Sequence, residues 1–84
     1  MEKFVLSAHA QTVIDERVID LAWLERVLTS PERVESGKGH PELRHALGRI
    51  PEHGNRVPRV TYNGAVDPVR IVTVYFDRKL RDKL

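Results

Sequence analysis

Eighty-four residues provide for one domain, with charged residues at 31%, hydrophobic residues at 40% and no cysteine. A chain of this size buries only roughly 60–65% of the surface its unfolded form exposes, which leaves no room for a second core. The lack of cysteine excludes disulfides, thiolate catalysis and cysteine-held zinc and fits a cytoplasmic setting, while no apolar run approaches the ~20 residues of a membrane span and residues 1–15 show no secretory-leader pattern.

The net charge of +2 hides an asymmetry. Residues 1–36 carry seven acids against four bases, a net of −3, and residues 37–84 carry ten bases against five acids, a net of +5. Most of the later bases are arginine, which contacts phosphate and carboxylate in bidentate fashion. Such a half suits a polyanion or an acidic protein partner; the plainer alternative is an uneven solvated surface.

In chain order, residues 3–6 predict a short strand and residues 8–17 a helix. Ser7 is its N-cap, because a serine hydroxyl accepts from an amide of the first turn. Ala10, Val13 and Ile14 form its apolar face. A break at Val18-Ile19 leads into a second helix over 21–29, capped by Asp20, with Ile19 stapled onto Leu24. Leu21, Leu24 and Leu28 make its stripe, widened by Trp23 and Val27, and Ser30-Pro31 ends it.

Arg33-Val34-Glu35 predicts a short strand, and Gly37 to Pro41 a loop. Three longer strands follow, over 43–50, 56–63 and 69–77, separated by turn residues at hairpin spacing. Pro58 points to an edge position or a late start for the second. Val69 to Phe76 is apolar or β-branched on both faces and should be the central, most buried strand. The expected fold is α+β, with two N-terminal helices packed on one face of a three- to four-stranded antiparallel sheet in β-α-α-β-β-β order. A single domain over 1–84 is expected, with a basic tail at 79–84 that is frayed or a short helix.

His9 lies in the first turn of the first helix, with Glu16-Arg17 further along. Seven residues return Glu16 to within ~20° of His9, but about 10.5 Å down the axis. They share a face without reaching a common hydrogen bond, so a partner for His9 must come from the sheet. The alternative is a histidine packed against the neighbouring strand. Arg44, Arg59, Arg70 and Arg78, interleaved with Tyr62 and Tyr75, are the residue types with which a sheet grips RNA: cations for phosphate and rings for stacking. Trp23 and Phe76 fit the core instead. His9, His40, His45 and His53 lack the spacing of a helical zinc pair, and Gly37-Lys38-Gly39-His40 lacks the pattern of a phosphate loop. No metal and no cofactor is expected.

Taken together, Ser7-Ala8-His9-Ala10, Glu16-Arg17-x-Ile19, Leu24-x-x-Val27-Leu28, Pro31, Val34-Glu35, Arg59-Val60 and Ile71-Val72-Thr73-Val74-Tyr75 resemble a bacterial domain family of unknown function. The resemblance spans about Phe4 to Arg78. It departs at Val13, where the family often carries an arginine one turn after the histidine. The family is similar in layout to the compact RelE, ParE and BrnT toxins, which implies a metal-independent endoribonuclease paired with an antitoxin. On that basis His9, His45 and Tyr75 are candidates for acid–base chemistry. Arg44, Arg59, Arg70 and Arg78 are then candidates for RNA phosphate binding, on one concave face. A non-enzymatic domain that holds an acidic partner or forms a homodimer is the competing expectation.

Overall fold

The computed structural model describes residues 4–37 and 39–80. Its elements are β1 (Phe4–Leu6), α1 (Ala8–Arg17), α2 (Leu21–Thr29), β2 (Arg33–Gly37), β3 (His40–Leu47), β4 (Pro58–Asn63) and β5 (Val69–Phe76), with short 3-10 turns at Pro51–His53 and Arg78–Leu80. The strands form one five-stranded sheet in the order β1-β5-β4-β3-β2. The α+β arrangement is as expected, but the sheet is mixed rather than antiparallel, because β1 pairs parallel with β5. Of the expected tail, Lys79 and Leu80 belong to the second 3-10 turn, and residues 81–84 lie outside the described residues.

Both helices start where a side chain can accept from a first-turn amide. Ser7 Oγ accepts from Ala10 N at 3.1 Å and Asp20 Oδ1 from Ala22 N at 2.8 Å. Ser7 also ties α1 to the sheet, since its Oγ donates to Val72 O at 2.9 Å and its N–H to Ile71 O at 3.0 Å. α1 ends with Ile19 N donating back to Ile14 O at 3.0 Å, the six-to-one bond of a Schellman motif. Val18 occupies the left-handed position of that motif, at φ 53° and ψ 55°.

Ala10, Ile14, Leu24 and Val27 of the helices pack with Ala46, Val60, Ile71 and Val74 of the sheet into one buried core. Ala46, Val60 and Val74 are direct cross-strand partners and therefore share this face. The expectation of β5 as the central, most buried strand is corrected: β4 holds the centre of the sheet and buries Pro58, Val60 and Thr61, whereas β5 buries Ile71 and Val74 and exposes Arg70 and Tyr75. The strand limits also shift. Pro58 starts β4 late because it has no N–H for the ladder, and Arg56 makes only an isolated bridge to Ile50. β3 begins early, at His40, because Gly39 adopts φ +72° and turns the chain tightly out of β2. Among the described residues no helix is long and apolar enough to cross a membrane.

Candidate functional site

Strand alternation divides the candidate residues between the two faces of the sheet. On the face away from the helices, one row runs Arg33, Leu47, Arg59, Tyr75 and the next runs Glu35, His45, Thr61, Thr73. A third row runs Leu43, Asn63, Arg70, Val5. Arg59, Arg70, His45 and Tyr75 thus share one face, with His45 and Tyr75 roughly 12 Å apart at Cα by strand spacing and rise. Arg44 does not join them. It pairs with Tyr62 and Ser36 on the helix side, where its Nη1 donates to Ser36 Oγ at 3.2 Å. His9 is exposed on α1, which packs on the helix side as well. The expected meeting of His9 with the sheet arginines on one face is therefore corrected: the sheet, one layer thick, stands between His9 and Arg59 or Arg70.

Arg59 is the most embedded of the sheet arginines, with its side chain 15% exposed. Its Nε and Nη2 donate to Asp77 Oδ2 at 3.1 and 2.9 Å, and its Nη1 donates to Glu35 Oε1 at 2.8 Å. Burial opposes the guanidinium charge, but the hydrogen bonds to Glu35 and Asp77 outweigh it and raise the Arg59 pKa. The same contact holds the Glu35 carboxyl below its ordinary value. Every face of this guanidinium fork is engaged by carboxylates of the chain itself, so Arg59 is not a free phosphate ligand. Leu47, flanked by Arg33 and Arg59 in its row, is fully buried. Much of this face is therefore covered by its own charged side chains. His45 Nδ1 shares a hydrogen bond with Thr61 Oγ1 at 2.9 Å, and Tyr75 is 43% exposed.

Free positive charge gathers instead at the end of β5. A cleft of about 400 Å³ is lined by Arg17, Arg56, Phe76, Asp77 and Arg78. Arg17 comes from the last turn of α1, Arg56 from the bridge before β4, and Arg78 from the turn after β5. None of the three has an ion-pair partner among the described residues. Arg56 stands 6.0 Å from the centre of the Phe76 ring, within cation–π range. Phe76 in turn contacts His53 and Trp23, with ring centres 5.2 and 6.2 Å away, which ties the cleft wall to the core. The one acid here among the described residues, Asp77, is already occupied: Oδ2 accepts from Arg59 and Oδ1 from Lys79 N at 3.0 Å. Chemically this arrangement can hold an anion beside an aromatic wall.

Of the expected phosphate ligands, only Arg78 belongs to this cleft. Arg17 and Arg56 were not among them. Arg17 stands in the Glu16-Arg17 signature, which marks it without assigning a role, and nothing in the sequence around Arg56 separates it from other turn-flanking arginines.

A family model described as "Domain of unknown function (DUF4258)" matches residues 6–76. Searches among the curated proteins and among the solved structures return no match.

Proposed function

The chain belongs to the DUF4258 family, and from that premise we propose that it is a bacterial, cytoplasmic RNA-binding module that grips phosphates in the cleft formed by Arg17, Arg56 and Arg78. Three arginines with no carboxylate partner among the described residues, converging on one cleft beside an aromatic ring, carry this reading. A phosphate there would exchange loosely held counterions for two-pronged guanidinium contacts. Phe76 would offer a base an apolar wall.

Layout alone supports the further step to a toxin of the RelE, ParE or BrnT kind with an antitoxin partner. Two helices cover one face of the sheet, and His45, Tyr75 and Arg70 stand on the other. Cleavage without metal would have one group take the proton of a ribose 2′-hydroxyl while its oxygen bonds to phosphorus. The 5′-oxygen would then leave with a proton from a second group. His45 and Tyr75 are the candidates for those two roles, and Arg70, exposed on the same face, for a phosphate contact.

Fluorescence anisotropy with a short labelled oligouridylate, across a series of potassium chloride concentrations, tests the binding. Each of Arg17→Ala, Arg56→Ala and Arg78→Ala should weaken binding about tenfold and lower the salt slope by about 0.7, the share of one contact on a single strand. Wild type that ignores the RNA at low salt, or variants indistinguishable from it, would overturn the proposal. Incubation with RNA in the presence of a chelator tests cleavage, which His45→Ala should abolish. Exposed Val18, Leu21 and Val34 favour the second reading, a non-enzymatic domain that holds an acidic partner or a second copy. Failure of RNA binding combined with capture of an acidic peptide would select it.

A further inference from the structure

Among the described residues, Asp77 is the only acid lining a cleft that contains three arginines without ion-pair partners, yet it pairs with none of them. Coulomb attraction at contact distance would ordinarily join such groups. The geometry shows what prevents it. Arg59 reaches from the helix-free face and takes Asp77 Oδ2 with two donors, Nε at 3.1 Å and Nη2 at 2.9 Å. The amide of Lys79 takes Oδ1. Glu35, at 2.8 Å from Nη1, fixes the far side of the same guanidinium. Asp77 is 13% exposed and its charge is spent away from the cleft.

Building on the reading of the cleft as a phosphate site, we infer that Arg59 is a latch: it holds Asp77 back and so keeps Arg17, Arg56 and Arg78 open to an anionic ligand. Without the latch, Asp77 turns to a neighbouring arginine, quenches it and leaves two cations where the phosphate would meet three. Arg59 is a positioning residue here. It touches Asp77 and not the ligand, and it governs whether the site is open or self-blocked.

The salt dependence of binding reports this directly, because the slope counts the phosphates neutralised. Three arginines on a single strand give a slope of roughly −2, and the loss of one gives roughly −1.4. With the labelled oligouridylate, Arg59→Gln should weaken binding about tenfold and flatten the slope by about one contact. Arg59→Gln combined with Asp77→Asn should restore the wild-type slope, since the blocking charge is gone. Asp77→Asn alone should not weaken binding, because it leaves no charge that can turn toward the arginines. Nor should Glu35→Gln, because the contacts between Arg59 and Asp77 survive it.

A double variant as weak as Arg59→Gln would refute the latch. So would Asp77→Asn alone tightening binding by more than about tenfold, a result that can be read even if Arg59→Gln fails to fold. Failure of the cleft itself looks different: wild type would show no salt dependence, and Arg78→Ala no effect.

Discussion

Replacing Val18 with glycine should stabilise this domain. Val18 holds the left-handed position of the Schellman motif that ends α1, at φ 53° and ψ 55°. The bond from Ile19 N to Ile14 O, together with the burial of both those isoleucines, fixes the turn and leaves Val18 no other conformation. A left-handed backbone costs an L-residue roughly 1–2 kcal/mol, and a β-branched side chain tolerates it poorly. Val18 is 83% exposed, so little apolar burial offsets that strain. Glycine removes the strain but gives the unfolded chain more freedom, worth roughly 0.5–1 kcal/mol. The net gain is about 0.5–1 kcal/mol, a rise in Tm of roughly 2–8 °C for a domain of this size. Thermal unfolding followed by circular dichroism measures it, and Val18→Asn should fall between wild type and Val18→Gly. A Tm for Val18→Gly at or below wild type would refute the reasoning, and would mean that the exposed valine contributes something beyond its own conformation.

Two further outcomes follow from the hydrogen bonds. Ser7→Ala removes the α1 cap and strips the donor from Val72 O, so it should lower stability by about 1–2 kcal/mol in urea unfolding and speed amide exchange in the first turn of α1; a change within error would show that water replaces both bonds. Acid should weaken the fold through glutamates whose carboxyls lie low. Arg26 holds Glu52 at about 2, Arg49 lowers Glu32 and Arg59 lowers Glu35. Because the folded values lie below the unfolded ones, the stability these pairs contribute is complete above the ordinary glutamate value of 4.5 and is lost as pH falls toward about 2. Urea midpoints should therefore hold steady from neutral pH to about 5 and decline below it; a midpoint unchanged down to about pH 2 would contradict this.

The local grammar of the fold is plain in the sequence. Ser7 and Asp20 cap as their side chains require, and Leu24 and Val27 are buried by helical spacing. The long-range part is not. A three-residue strand carries no periodicity from which a parallel partner 65 residues away can be read, so β1 adds a direction of pairing that local pattern does not encode. Arginine is equally mute about its partner. Arg59 looks like a phosphate ligand in the alternation of its strand, and only the register that brings Glu35 and Asp77 to it, 24 and 18 residues distant, turns it into an internal contact. Conversely, Arg17, Arg56 and Arg78 become a site because three element ends meet there.

The pairing of β1 with β5 also sets the order in which the chain can complete itself. β5 carries the ladder to β4, the bonds that accept Ser7, and the whole surface on which α1 and β1 rest. β1 and α1 therefore have no sheet to dock on until β5 has followed them out. Closing a loop of that length raises the entropic barrier only slowly with length, but it places a long-range contact at the heart of folding and so favours a slow, late condensation over stepwise growth from the N-terminal side.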